Sequence, residues 1–422
     1  MAPLFDGEKA YNHIKVLACD IGDRPAGSDN DRKAMSYIKT QFEAHGLDVS
    51  VQEYPVKTAV TLNEGLWIID TGESLECSAM PMKGMTGPNG VSGPLLYLET
   101  TGEECLTPEV EGKVILTDDI QGSSHEYFRK HKPLGFIVHE SKAKTKPQHY
   151  YGNVSDEQPY WDFATVRVSY DTAQRLVKEK VGDVKLLVDS EKKEETSYNI
   201  IAEVKGSKNP DEIVIVGGHY DSMPGIDGAS DNAAGTAMVM ELARIFSETG
   251  CERTLRFIAF GNEEMGMYGS YNYAHELKSG IELEQVRLCV NVDVQGSYVG
   301  KNTATFMGPS QLQDSVKLLA KESGVVFETK EELYDSDGLS FSSLGIPSVS
   351  FARRSGIDVM MHTVEDTIEY LGSEPLGVTG RFIEKWLRRY TSTPSFPFER
   401  KVPDELMKQV DGFYKEWGMA RP

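Results

Sequence analysis

The sequence predicts a doubly wound α/β protein: a mostly parallel sheet with helices on both faces, plus an inserted smaller β-rich domain. Three observations carry that prediction. From residue 197 onward, apolar strand patterns alternate with helical ones, the order that builds a parallel sheet through crossover helices. Residues 58–189 instead hold many short apolar runs and few helical patterns. The chain has 422 residues, more than one typical domain.

The elements follow in chain order. "KAYNHIKVLACDI" has apolar residues at Ile14, Val16, Leu17 and Ile21 in a helical pattern. "DNDRKAMSYIKTQFEAHG" opens on Asp29, a capping residue, and stops at Gly46, as a helix does. "LDVSVQEYPV" alternates from Leu47 and predicts a strand. Between 58 and 189 the expected strands are "GLWIID", "GPLLYLET", "GKVILTDD", "LGFIVHES", "FATVRVS" and "VKLLVDS", separated by Gly, Pro and acidic turns. Two helices, "SSHEYFRKHKP" and "YDTAQRLVKEK", intervene. The strands "NIIAEVKG", "EIVIVGGH", "RTLRFIAFG", "VRLCVNVDV" and "IPSVSFA" then alternate with the helices "GTAMVMELARIFSETG", "GSYNYAHELKSG" and "PSQLQDSVKLLAKESG". The implied division is 1–57 with 190–392 as the α/β domain and 58–189 as the insert. Residues 393–422 form a C-terminal appendage ending in the amphipathic "ELMKQVDGFYKEW".

Composition narrows the class. Hydrophobic residues make up 39% and charged residues 26%, as in a soluble globular protein. The net charge of −21 repels nucleic acid and anionic membranes, so neither is an expected partner. Five cysteines, an odd number without CxxC spacing, argue against a disulfide framework or a thiolate metal site. Cys251 and Cys289 border apolar runs and are expected in the core. No run reaches the roughly 18 apolar residues of a membrane helix. "MAPLFDGEKAYNH" lacks a basic start and an apolar signal core, which predicts a cytoplasmic protein, or a secreted one whose signal has been removed. Oligomeric state is not legible.

The chemistry lies in "GGHYDSMPGIDGASDN", residues 217–232, and its counterparts downstream. His219 ends a predicted strand and Asp231 opens the next helix. Glu263 and Glu264 follow "RTLRFIAFG", Asp293 ends "VRLCVNVD", and His362 follows "IPSVSFA" after a loop. In a parallel sheet the carboxyl ends of the strands share one edge, so these residues can converge. Imidazole with carboxylate suits zinc. Two zinc ions bring four positive charges, which three ligand carboxylates and a hydroxide would cancel. A single such residue is more often a cap or a satisfied core group; the weight lies in the joint pattern. GxSxG, HExxH and Walker signatures are missing. His125, His139 and His275 each precede a Glu but lack the second His.

The motifs "GGHYDS", "GASDNAAG", "FGNEEMGMYGS", "NVDVQG", "SDGLSF…GIP" and "HTVEDT" resemble those of the zinc-dependent aminopeptidases of the M28 family, in order and spacing, over about residues 190–372. That family shares the zinc-exopeptidase fold. Residues 58–189 resemble a protease-associated domain. The resemblance implies peptide substrates and two Zn²⁺ ions. His219 and Asp293 would bind one, Glu264 and His362 the other, and Asp231 would bridge them. Asp221 would accept a hydrogen bond from the second His219 nitrogen. Glu263 would be the general base that takes a proton from the attacking water and hands it to the leaving amine. The resemblance also implies a cis peptide bond between Asp231 and Asn232.

Two departures stand out. Many relatives have Tyr before the last His ligand, where this chain has Met361, whose thioether cannot donate a hydrogen bond. Gly338 stands after Asp337 where His is common, and Asp337 reads as a helix cap ahead of a substrate contact. Asp227 reads as a turn residue. The leading expectation is a metalloaminopeptidase. A carboxypeptidase or dipeptidase using the same metals is the alternative, with Arg353 and Arg354 as candidates to hold a terminal carboxylate. A glutaminyl-cyclase-like acyltransferase and a non-catalytic binding protein rank lower, because no ligand is lost.

Overall fold

The computed structural model describes residues 4–81, 83–150, 162–354, 360–416 and 420–422. At its centre the strand Asn209–His219 lies between Arg253–Phe260 and Val286–Val292, parallel to both. Ser348–Arg354 continues the parallel run beside Val286–Val292. Lys301–Met307 pairs antiparallel with Ser348–Arg354 and parallel with Phe327–Glu331 at that edge. On the other side Asp183–Val204 runs antiparallel to Arg253–Phe260.

Alternation along each strand divides the core into two faces. Val214, Val216, Leu255, Phe257, Leu288 and Val290 pack on one side with residues of the helices Asp29–Ala44, Ala234–Thr249 and Ser373–Thr391. Ile213, Ile215, Ile258, Phe260 and Cys289 point the other way, against Tyr273, Leu277 and Phe341. Successive side chains leave a strand on opposite faces, so an all-apolar strand needs a helical layer on each. The doubly wound sheet with helices on both faces is therefore present.

The insert joins this sheet through a long two-stranded ribbon. Asp48–Ile68 and Asp183–Val204 pair antiparallel from Asp48–Glu203 to Ile68–Val184, with one irregularity between Thr61 and Asn63. The boundaries expected at 57/58 and 189/190 fall inside this ribbon, because no turn residues interrupt its pairing there. Within the insert, Val91–Tyr97, Val114–Thr117, Gly135–His139 and Thr165–Val168 lie in parallel order. Val114, Leu116 and Ile137 face one core with Ala173 and Leu176, while Ile115 and Phe136 face another with Phe128. The insert thus buries its own two apolar layers.

The C-terminal residues are packed into the body. Phe398 stacks on Trp386 with ring centroids 5.9 Å apart and an interplanar angle of 4°. Leu406, Val410 and Tyr414 of the helix Asp404–Glu416 bury against Met267, Met307 and Leu339. An amphipathic helix needs an apolar partner surface, and these three residues supply it. Cys289 is buried and Cys251 half-buried against the core. No helix among the described residues is long and apolar enough to cross a membrane.

Candidate metal centre and active site

His219, Glu263, Glu264 and Asp293 stand at or just past carboxyl strand ends on one edge, and Asp231 and His362 come to the same edge from the segments beyond. His219 is the last residue of its strand and is 1% exposed. The strand closes tightly around it, since a Cβ on Gly218 would stand 2.5 Å from Val292 O. Asp293 follows Val292 directly. Glu263 and Glu264 enter a turn after Phe260, in which Glu263 O accepts from Gly266 N and Met267 N at 2.8 and 2.7 Å. Asp231 lies in an irregular helical turn, Ala229–Ala233, and the regular helix begins at Ala234 rather than at Asp231. The Asp231–Asn232 peptide bond is cis. Asn232 Nδ2 donates to Val292 O at 3.0 Å, which ties this arm to the strand that carries Asp293.

The side chains close into one ring. Asp231 Oδ1 is 3.2 Å from His219 Nε2, and its Oδ2 is 3.3 Å from His362 Nε2. Asp293 Oδ1 lies 3.4 Å from His219 Nε2, and Glu264 Oε2 lies 3.0 Å from His362 Nε2. Ligand atoms of His219, Asp231 and Glu264 all fall within 4.8 Å of one another. Glu263 Oε2 stands 3.9 Å from His219 Nε2. Asp221 Oδ1 is 3.4 Å from His219 Nδ1, off hydrogen-bond alignment. Its carboxylate accepts instead from Glu263 N at 3.0 Å and Glu264 N at 3.2 Å, so Asp221 holds the backbone of the glutamate pair.

The charges of this ring need a cation. Among the described residues, no Lys or Arg forms an ion pair with Asp231, Asp293, Glu263 or Glu264. Burial opposes charge on His219, but Glu263, Asp221, Asp231 and Asp293 outweigh it and hold the imidazole well above its ordinary pKa. Burial, with Asp337, Asp293 and Glu264 nearby, drives the Glu263 carboxyl well above the usual range against the pull of His219. Asp293 Oδ1 is buried and accepts no hydrogen bond. A histidine held protonated by carboxylates marks a place where a dication can replace the proton, and the nitrogen and oxygen donors suit zinc. The residues fit the metal.

Several residues of the site carried no readable signal, or one that was not taken up. Asp366, within the quoted "HTVEDT", accepts from Ser230 N and Ser230 Oγ at 2.8 Å each and from Asp231 N at 3.1 Å, which fixes the turn that carries Asp231. Burial pushes its carboxyl up to about 6. Arg24, fully buried, donates to the carbonyls of Tyr220, Asp227 and Gly228 and so shapes the loop between His219 and Asp231. Ser336 Oγ and Tyr334 OH donate to Asp293 Oδ2 at 2.9 and 3.3 Å. Arg354 Nη2 donates to the Tyr334 oxygen at 2.6 Å, and Arg353 donates to Ser297 O and Asn302 Oδ1. Asp337 is not the expected cap. Its own backbone is helical (φ −47°, ψ −33°) and its side chain makes no capping bond, whereas a capping residue has extended backbone. It is buried, and burial pushes it up to about 7. His125 pairs with Asp162 inside the insert, and His275 stacks on Tyr271, both away from the ring.

Parallel sheet, strand-end ligands and an acid-rich buried ring together define a zinc metallopeptidase. Residues 199–387 match the model of Peptidase family M28. It is 27% identical over 393 residues to aminopeptidase YwaD of Bacillus subtilis (strain 168), covering 90% of this chain and 84% of that one. The crystal structure of BSAP, a zinc aminopeptidase from Bacillus subtilis, superposes with a TM-score of 0.79 at 24% identity, covering 96% of this chain and 100% of that one. An aminopeptidase from Aneurinibacillus sp. strain AM-1 gives a TM-score of 0.75 at 26% identity over 94% and 96% of the two chains.

Proposed function

We propose that the protein is an aminopeptidase that removes N-terminal residues from peptides at a two-zinc site. One observation carries the reading: the two oxygens of Asp231 face two different histidines at 3.2 and 3.3 Å, the arrangement of a bridging ligand. His219 and Asp293 would hold one zinc, Glu264 and His362 the other. When bound, the metal pair supplies Lewis acidity and a water acidified enough to attack near neutral pH. Glu263, held from its backbone by Asp221, takes the proton of the attacking water and returns it to the leaving amine.

Tyr334 takes the donor duty that Met361 cannot fill. A guanidinium has no acceptor, so Arg354 can only donate to the phenol oxygen, and the phenol proton must point elsewhere. It points toward Asp293, whose same oxygen Ser336 also holds. The phenol can therefore turn to a substrate oxygen without leaving that carboxylate unsupported.

Glu263, the acid of the ring outside the metal-ligand set, favours a free α-ammonium over a terminal carboxylate, and the hydrogen bonds of Arg353 and Arg354 engage both within the protein. These support aminopeptidase over carboxypeptidase action. A panel of peptides with free or blocked termini tests it. Cleavage of C-terminally amidated peptides with free N-termini, abolished by a chelator, is expected. Cleavage restricted to N-acetylated peptides with free carboxyl ends overturns the reading.

A further inference from the structure

The two histidines of the ring are held in different ways. His219 ends a central strand inside the sheet. His362 sits in a loop with φ of +60°, a left-handed conformation that L-residues rarely adopt, so its orientation needs outside support. That support comes from the insert. His149 N donates to His362 O at 2.8 Å. Lys144 Nζ and Gln148 Nε2 each donate to Met361 O at 3.3 Å. The Tyr150 ring meets the His362 ring edge-on, with centroids 5.1 Å apart and planes at 87°.

The same run reaches the opposite side of the ring. His149 Nδ1 lies 2.8 Å from Pro224 O, in the loop between His219 and Asp231. Tyr150 packs against the cluster of Ala26, Met223, Ile226 and Met265, the last being the neighbour of Glu264. Behind it the run is anchored in the insert's own sheet. Gln148 N donates to Glu140 Oε1 at 3.0 Å, and Arg167 pairs with the Glu140 carboxylate at 2.6 and 3.1 Å. The Arg167 guanidinium lies over the Tyr150 ring, 4.9 Å from its centroid.

We propose that His149 and Tyr150 are positioning residues for His362, so that the insert controls one metal position and leaves the other alone. The position built by Glu264 and His362 depends on this clasp; the one built by His219 and Asp293 does not. This rests on the two-zinc reading. It gives the insert a role in assembling the site, beyond any role in substrate access.

The test is zinc titration of chelator-stripped full-length protein against a competing chromophoric chelator, with the Co²⁺ electronic spectrum as a second readout. His362→Ala identifies which binding class belongs to His362. The double variant His149→Ala/Tyr150→Ala should weaken that class about tenfold or more, the scale of an outer contact on a metal-bound imidazole, and leave the other class unchanged. Tyr150→Phe, which keeps the ring edge, should bind as the wild type. Equal weakening of both classes, or of neither, in a variant with wild-type circular dichroism overturns the proposal. A wild type with a single class would sink the two-zinc reading instead. The positioning claim is then decided by whether the double variant weakens that class as His362→Ala does.

Discussion

The half of the ring carried by strands and the half carried by loops are built on different principles. His219 and Asp293 stand at the ends of adjacent parallel strands, where backbone ladders on both sides fix them. Asp231 and His362 stand on arms beyond the strand ends, outside the sheet's ladders. Each arm is held by side chains from elsewhere: Asp366 for the first, and residues 144–150 for the second. A strand end locates a ligand through hydrogen bonds that the fold makes in any case. A loop ligand needs partners recruited for it, and these are the residues where a small change should shift metal affinity most selectively.

The largest effect should come from the residue that joins the halves. Asp231→Ala should empty both metal positions and abolish chelator-sensitive peptidase activity, as metal analysis after dialysis would report. If one equivalent stays tightly bound, the bridging role is wrong. Glu263→Gln should do the opposite, keeping the metals while kcat falls by about 10²–10⁴-fold, the usual weight of a general base. Loss of metal in that variant would mean that Glu263, not Glu264, is the ligand.

Tyr334→Phe should lower kcat by about 10²-fold with little change in KM or metal content, as removal of one oxyanion donor does. An unchanged kcat would return the donor role to the metal or to another group. On the loop arm, Asp366→Asn keeps the shape but weakens the acceptor for Ser230 and Asp231. Zinc affinity should fall about tenfold, read by chelator competition.

The smallest effect lies behind the ring. Asp31 accepts from Gly27 N at 2.9 Å, and burial pushes its carboxyl up to about 7. The folded chain therefore binds a proton that the unfolded chain releases near pH 4. The stability from this group is present at low pH and is lost as pH rises through about 7. Asp31→Asn should flatten the fall in Tm between about pH 4 and 7. An unaltered slope would mean that other groups set it.

Much of the fold was readable because it is periodic. "EIVIVGGH", "RTLRFIAFG" and "VRLCVNVD" are rich in apolar residues, with the candidate ligands at or just past their carboxyl ends, and a buried parallel strand reads that way. The limits of the insert were less readable, since the ribbon continues through both expected boundaries. The tail looked detachable because its apolar face is short; its partners, Met267, Met307 and Leu339, are scattered along the chain. Asp337 looked like a cap because the residue type and position suit one, while the backbone angles that rule it out are invisible in a sequence.

By itself the sequence pointed to the groups that the structure gathers into one ring: two imidazoles, the carboxylates around them, and the strand ends near which they stand. Those follow from local pattern, since the polar residue after a buried strand can only fall at the sheet edge. Tertiary structure alone decided what holds them. Asp366 lies 135 residues from Asp231, and Gln148 lies 213 residues from Met361. Contacts over such separations have no period and no spacing to read. They come into being only when the sheet, the insert and the loops between them pack together.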